Sequence, residues 1–224
     1  MDYSYILNTS VPQKDKLKEF GFTVCTNDSA ASDNGHKFVL KKEIADGEFY
    51  VLIQLTDVSL TADVFETSTG EQYVLFNVSS AQGAFVGKLR SEVQGVIEEI
   101  REECFITENI KQKYEDFLHS YFNAFGDNPW AEEPYDSSTV YRCPNNKWFA
   151  LVMKIKFKNL GLESDEPVWV VNLKAENVDS IIDKKSIFPA YHMNKKYWIT
   201  VLLTSVTDFD KLCELTKKSF ALVE

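Results

Sequence analysis

Near Gln82 the hydrophobic residues of this chain change their spacing from every second position to every third or fourth. Before that point, turn residues separate short alternating segments, as Ala45-Asp46-Gly47 separates residues 37–42 from residues 48–55. After it, a single apolar stripe recurs at helical spacing, and it is formed by Phe85, Leu89, Val93, Val96, Ile97 and Ile100. Alternation predicts strands and the stripe predicts a helix. The first half is therefore expected to be an antiparallel meander followed by a helix that extends to about Cys104.

The other signals in the first half indicate turns and one short helix. Residues 14–20 predict a helix that stops at Gly21, and residues 26–35 form a loop by their polar composition. The predicted strands are 37–42, 48–55, 60–66 and 72–78, with the polar turn Thr67-Ser68-Thr69-Gly70 between the last two.

The second half begins with another helical stripe and continues with strands. A helix capped by Thr107 and ended by Gly126 carries Ile110, Tyr114, Phe117, Leu118, Tyr121, Phe122 and Phe125. Strands are predicted at 139–142, 147–158, 167–174 and 197–204, with a short helix at 175–185 and a closing helix at 207–222. This order predicts a two-layer α+β fold in which helices cover one face of an antiparallel sheet. Alternation in the long strand assigns Phe149, Leu151, Met153, Ile155 and Phe157 to one face, and Ala150, Val152, Lys154, Lys156 and Lys158 to the other.

The boundary between two domains is placed between these helices, which gives an acidic α+β domain at 1–106 and a second domain at 107–224. Residues 1–106 contain 9 Lys and Arg against 17 Asp and Glu, a net charge of −8. Residues 107–224 contain 15 against 17, a net charge of −2. A strongly acidic half repels phosphate backbones, which counts against nucleic-acid binding by residues 1–106.

The composition favours a soluble cytoplasmic protein. The N-terminus has no basic cluster followed by an apolar core, and no apolar run approaches the roughly 20 residues of a membrane span. The cysteines at positions 25, 104, 143 and 213 form no C-x-x-C pair, which favours reduced thiols over a disulfide framework or a zinc site. We expect no membrane association, no metal and no cofactor.

The segment 188–198 holds the candidate functional residues. Aromatic residues, a histidine, an asparagine and two adjacent lysines occur in it together, between a predicted helix and a predicted strand. Loops that carry such side chains often bind ligands. The alternative is that Tyr191, Met193 and Trp198 cover a sheet edge while Lys195 and Lys196 are solvated. The residues alone support the two interpretations about equally.

The run Pro189-Ala190-Tyr191-His192-Met193-Asn194-Lys195, followed by Trp198, resembles the signature loop of the MmcQ/YjbR family. Lys147-Trp148-Phe149-Ala150 resembles the first core strand of that family, and Asn172-Leu173-Lys174 resembles the end of a later one. The order and spacing agree over about residues 107–224. The resemblance implies a fold of the type called secretion-chaperone-like or CyaY-like, and a double-wing DNA-binding role.

The family motif marks a candidate ligand- or DNA-binding set, to which we add the adjacent Lys196: Lys147, Lys174, Tyr191, His192, Asn194, Lys195, Lys196 and Trp198. Lysines neutralise phosphates, Asn194 bonds a base edge, and Tyr191 or Trp198 stacks on bases. The row Lys154, Lys156 and Lys158 extends this set if the open face of the sheet is the docking surface. His192 and Asn194 are alternatively structural, through a bond to a neighbouring carbonyl and through a side-chain turn.

Two functions stay open at this point, and neither is catalytic. The first is DNA binding, against which the net charge of the second half counts. The second is a protein-interaction or chaperone-like role, in which the open sheet face or an exposed edge accepts a peptide. Cys143 and His192 offer a nucleophile and a base, but Cys143 precedes Pro144 in a turn and no third group orients the pair. We therefore expect a binding protein and not an enzyme.

Overall fold

The computed structural model describes residues 1–25, 37–130, 137–162 and 164–224. The predicted loop at 26–35 and His36 lie outside the described residues. The chain divides into two compact units, Met1–Ile106 and Thr107–Glu224. In the described part of the chain, no helix is both long enough and apolar enough to cross a membrane.

The N-terminal unit is a four-stranded antiparallel sheet with a long helix packed on it. Its elements are β1 (Val11–Pro12), α1 (Lys14–Phe20), β2 (Thr23–Cys25), β3 (Lys37–Ile44), β4 (Phe49–Leu55), β5 (Leu60–Glu66), α2 (Ala84–Cys104) and β6 (Phe105–Ile106). The sheet order is β2-β3-β4-β5, and β1 pairs separately with β6. Buried side chains of α2, including Leu89, Val93 and Ile97, share one core with Val51 and Ile53 of β4. The predicted helices and the first three strands of the meander are thus confirmed, and Gly21 ends α1 in the left-handed conformation with φ 116°.

The strand predicted at 72–78 is wrong. Residues Val74–Phe76 form a short 3-10 helix, and the fourth strand of the sheet is β2 instead. The cause is a contact from α2, because the Arg90 guanidinium donates to the carbonyl oxygens of Leu75, Phe76, Val78 and Ala81. Carbonyls held by this side chain are not available to a strand ladder.

The C-terminal unit is a five-stranded antiparallel sheet with helices. Its elements are α3 (Ile110–Phe122), β7 (Thr139–Arg142), β8 (Trp148–Lys156), β9 (Pro167–Lys174), α4 (Val178–Ile181), β10 (Ile187–Pro189), β11 (Trp198–Leu202) and α5 (Phe209–Ala221). The sheet order is β10-β11-β9-β8-β7. Tyr114 of α3 and Leu212 of α5 share a core with Val152, Val171 and Val201 of the three central strands. The predicted α+β fold is confirmed.

Several predicted boundaries in this unit are wrong. Asn109, and not Thr107, caps α3, since its side chain accepts a hydrogen bond from the backbone N–H of Gln112. The helix ends at Asn123, which is left-handed with φ 50°, and not at Gly126 as predicted. Gly126 lies instead in a tight place, where a Cβ would come within 2.1 Å of Thr139 Cγ2. The predicted helix at 175–185 is limited to the four residues of α4. Phe188 and Pro189 belong to the edge strand β10 and not to a loop.

The two faces of β8 also differ from simple alternation. The register between β7 and β8 shifts at Tyr141 and Arg142, and this bulge places Phe149 in the same helix-side core as Ala150 and Val152. The predicted assignment of Phe149 to the other face is therefore wrong.

Candidate functional site

The loop between β10 and β11 is fastened to the sheet through the backbone of Tyr191. The Tyr191 N–H donates to Thr200 Oγ1 at 2.9 Å, and the Tyr191 carbonyl accepts from Asn172 Nδ2 at 2.7 Å. Thr200 Oγ1 in turn donates to Asn172 Oδ1 at 2.5 Å. Asn172 and Thr200 are both 0% exposed, so the loop begins from a fixed, fully buried point.

The next residues of the loop have distinct roles. His192 is exposed, adopts the left-handed conformation with φ 57°, and lies with its ring centroid 4.0 Å from that of Tyr191. Asn194 Oδ1 accepts from the Lys196 N–H at 3.0 Å, and its carbonyl accepts from the Tyr197 N–H. Asn194 therefore holds a turn, as the structural alternative predicted.

A cleft of about 1010 Å³ adjoins this loop. We call it the aromatic cleft, and its principal lining residues are Trp130, Trp148, Leu151, Met153, Tyr191 and Met193. The Trp130 and Trp148 rings meet edge to face at 5.6 Å, and the Arg142 guanidinium lies 5.4 Å from the Trp148 ring. Ser137, Ser138, Asn159 and His192 contribute polar groups to the lining, and Lys154 and Lys156 also belong to it. Such a surface, apolar with a few polar groups and two lysines, suits a ligand that combines apolar side chains with polar groups.

Other members of the predicted set line a separate cleft of about 690 Å³. We call it the lysine cleft; it is lined by Lys174, Lys196 and Trp198, together with Glu176 and Tyr197. Among the residues that the structure describes, none lines both clefts. The structure therefore divides the predicted set, with Tyr191 and His192 at the aromatic cleft and Lys174, Lys196 and Trp198 at the lysine cleft. Lys195 lines a third, smaller depression with Lys196 and Asp179.

Lys147 lies at neither cleft. It is exposed on the turn between β7 and β8, where its N–H donates to Asn145 Oδ1 at 3.0 Å. Asn145 Nδ2 also donates to the carbonyls of Val223 and Glu224, so the last residues of the chain pack against this turn.

The row Lys154, Lys156 and Lys158 does not form a free basic patch. The Lys156 and Lys158 ammonium groups pair with Asp165 at 3.2 and 2.5 Å. Lys154 lies 5.8 Å from the Trp169 ring, which Lys111 of α3 also approaches at 4.7 Å.

Cys143 and His192 are not brought together as a catalytic pair. Cys143 is buried in the helix-side core, where its Sγ lies 3.8 Å from the Phe220 carbonyl, while His192 lines the aromatic cleft. Burial raises the pKa of the Cys143 thiol and Glu224 raises it further, whereas a nucleophilic cysteine needs a lowered pKa. Among the described residues, no group of three or more His, Cys, Asp or Glu side chains is arranged to hold a metal ion.

The sequence patterns did not identify the wall of the aromatic cleft or the buried pair beneath the loop. Asn172 is a polar residue within the apolar run Val168-Trp169-Val170-Val171-Asn172-Leu173 and belongs to the Asn172-Leu173-Lys174 segment that resembles the family, but neither pattern indicated a bond to the loop. Thr200 gave no signal, because threonine is common in strands. Leu151 and Met153 look like ordinary strand residues, and only the sheet register shows that Leu151 lies opposite Asn172.

Comparison with known proteins places the C-terminal unit in a family. Residues 121–222 match the family model described as YjbR. The Bacillus subtilis (strain 168) protein YyaQ, described as uncharacterized, is 29% identical over 126 residues, which cover 55% of this chain and 98% of that relative.

Two solved structures of a Pseudomonas syringae protein are also similar. The crystal structure is 36% identical, covers 51% of this chain and 98% of that chain, and has a TM-score of 0.48. The solution NMR structure is 35% identical, covers 51% and 92%, and has a TM-score of 0.45. The match to the YjbR family model at residues 121–222 contains the 189–198 segment and confirms the resemblance that this segment carries.

Proposed function

We propose that the C-terminal unit is a non-catalytic binding module that holds an apolar, aromatic-rich segment of a polypeptide in the aromatic cleft. The observation that supports this most is the lining itself: two tryptophans, a tyrosine and two methionines meet in one concave surface. Aromatic side chains bind with large areas and little loss of conformational freedom, and methionine adapts to ligands of different shape. Surfaces of this composition typically accept peptides.

The polar part of the lining fits the same ligand. A peptide carries backbone N–H and C=O groups beside its apolar side chains, and these need partners when water is excluded. Ser137, Ser138 and Asn159 supply hydroxyl and amide groups along the cleft. The four cysteines are free thiols, which is in keeping with a cytoplasmic setting for this activity.

Selection of a phage-displayed 12-residue peptide library against the full chain tests the proposal. The recovered peptides should be rich in aromatic and aliphatic residues, and their affinity should be measured by calorimetry for Tyr191→Ala and Met193→Ala. We expect each variant to weaken binding about tenfold, which is typical of a central contact in an interface. Phe125→Ala is the matched control, since Phe125 is 71% exposed and is absent from the cleft lining. Selected peptides that bind the Tyr191 and Met193 variants as well as the parent chain would show that the ligand lies elsewhere.

A second candidate function is nucleic-acid binding at the lysine cleft. The observation that favours it is that Lys174, Lys196 and the half-buried Trp198 line one concave surface, beside the exposed Tyr197. Ammonium groups next to a stacking ring suit a single strand with splayed bases. Glu176 in the same lining opposes it.

An oligonucleotide titration at several salt concentrations tests this second function. If it is correct, log K falls with log salt at a slope of about 0.7 to 0.9 per phosphate neutralised, and Lys174→Ala with Lys196→Ala reduces the slope. Lys156→Ala with Lys158→Ala is the matched control, because those lysines already pair with Asp165. Absence of binding at low salt would reject nucleic acid as the ligand, and equal binding by the two double variants would reject the lysine cleft as its site.

A further inference from the structure

We propose that Asn172 and Thr200 are positioning residues for the aromatic cleft, and that they act by fixing both backbone hydrogen-bonding groups of Tyr191. This inference rests on the proposed peptide-binding function. Neither side chain lines the cleft, so their effect on a ligand is exerted through the loop.

The three hydrogen bonds form a closed ring, and in each bond the donor and the acceptor are defined. The Tyr191 N–H donates to Thr200 Oγ1, that hydroxyl donates to Asn172 Oδ1, and Asn172 Nδ2 donates back to the Tyr191 carbonyl. A hydroxyl can accept one bond while donating its single O–H to another group, and a side-chain amide offers an acceptor oxygen and a donor NH2 group. Bonds linked in this way polarise one another, so the loss of one weakens the rest.

The ring lies against the wall of the cleft. Thr200 of β11 is opposite Asn172 of β9, and Asn172 is opposite Leu151 of β8. Residues opposite each other in neighbouring strands point to the same face of a sheet, and Leu151 lines the cleft. The buried polar pair therefore forms part of the layer directly beside the ligand surface.

Fixing Tyr191 also determines where the next two side chains point. His192 is left-handed, which is uncommon for a residue with a side chain and persists where neighbouring contacts determine the backbone. Tyr191 is held at both its N–H and its carbonyl, and its side chain lines the same cleft as those of the next two residues, His192 and Met193. A site whose wall is held in place binds more tightly than one that must order itself on binding.

A purely structural role would need no polar pair at this position. Two apolar side chains of similar shape fill a core at little or no cost in stability, whereas a buried amide and hydroxyl need every bond satisfied. What the polar pair does, and an apolar pair cannot, is bind the Tyr191 backbone.

Amide hydrogen exchange of the full chain, followed by NMR, tests the inference in Thr200→Val, Thr200→Ser and Thr207→Val. Thr200→Val removes the hydroxyl with little change in shape, and Thr200→Ser restores it. Thr207→Val is the matched control, since Thr207 is also buried and its hydroxyl donates to the Leu202 carbonyl at 2.7 Å. If Thr200→Val does not fold, the double variant Asn172→Leu with Thr200→Val replaces it.

The exchange rate of the Tyr191 amide, relative to the amides of β8 and β9, should rise about tenfold in Thr200→Val and stay near the parent value in the other two variants. Affinity for a peptide selected from the 12-residue library should fall about tenfold in the same variant only. Unchanged Tyr191 exchange in Thr200→Val, or an equal rise in Thr207→Val, would overturn the inference. A parent chain that yields no binding peptide would instead refute the proposed function, while faster Tyr191 exchange in Thr200→Val would still support the hydrogen-bonded ring.

Discussion

Replacement of Ser219 by alanine should destabilise the C-terminal unit more than any ordinary serine substitution. Ser219 is a fully buried residue of α5, and its Oγ accepts from the Lys174 N–H at 2.8 Å and donates to the Phe149 carbonyl at 2.5 Å. The last regular pair of β8 and β9 at this end is Ala150 opposite Leu173, and Phe149 is the residue that the pairing of β7 with β8 skips. The serine hydroxyl thus bridges two backbone groups that lie beyond the last regular pair of β8 and β9.

The magnitude follows from the two groups that lose their partner. Leaving a buried N–H or C=O unsatisfied costs roughly 1–3 kcal/mol, and about 1.5 kcal/mol for each of the two gives about 3 kcal/mol. Alanine is the better helix former by about 0.5 kcal/mol, which offsets a small part. We expect a net loss of about 2.5 kcal/mol, a large share of the roughly 5–15 kcal/mol that stabilises a typical domain.

Urea unfolding followed by tryptophan fluorescence measures this loss in the relevant unit. All four tryptophans lie in the C-terminal unit, at positions 130, 148, 169 and 198. Ser120→Ala is the control, since the Ser120 hydroxyl donates to the Phe117 carbonyl at 3.3 Å on the exposed side of α3; it should change stability by less than about 0.5 kcal/mol. Equal unfolding free energies for Ser219→Ala and Ser120→Ala would refute the bridging role.

Three further variants test other contacts. Burial raises the pKa of Asp183, but hydrogen bonds from the N–H groups of residues 185–187 and a serine hydroxyl lower it to a net value below the ordinary one. The ionised Asp183 carboxylate therefore stabilises the fold fully above about pH 4, and this stabilisation is lost as the pH falls through the folded-state pKa. In Asp183→Asn, the free energy of unfolding measured by tryptophan fluorescence should therefore fall less between pH 4 and lower pH than in the parent chain. An unchanged pH dependence would contradict this. Gly126→Ala places a methyl group 2.1 Å from Thr139 Cγ2 and should cost about 1–3 kcal/mol by the same assay, whereas a neutral effect would show that β7 moves freely. Arg90→Lys loses the planar guanidinium that donates to four carbonyls. The free energy of unfolding should fall by about 2 kcal/mol, and the urea midpoint measured by circular dichroism should fall with it. An unchanged midpoint would mean that a single ammonium group is sufficient.

The sequence by itself determined the elements whose signals are local. The change of spacing near Gln82 predicted α2, and Gly21 predicted the end of α1, because a helix needs one apolar stripe and a residue that tolerates positive φ to end it. The Pro189-Ala190-Tyr191-His192-Met193-Asn194-Lys195 run identified the family, because it is contiguous and specific. The turn made by Asn194 also followed from the residue type.

The tertiary structure decided the features that depend on groups distant in the chain. Residues 72–78 contain a short apolar run typical of a strand, but a guanidinium from α2 takes their carbonyls, and a sequence pattern cannot show such a contact. Likewise, the bulge that turns Phe149 toward the helices is a property of the pairing between β7 and β8.

The candidate set did not come together in one cleft for the same reason. Residues adjacent in one loop are held by different neighbours: Tyr191 by Asn172 and Thr200, and Trp198 by its place opposite Lys174 at the start of β11. Which surface a side chain reaches is therefore set by hydrogen bonds across 9 and 19 positions of sequence and by strand pairing, and a pattern of neighbouring residues does not contain that information.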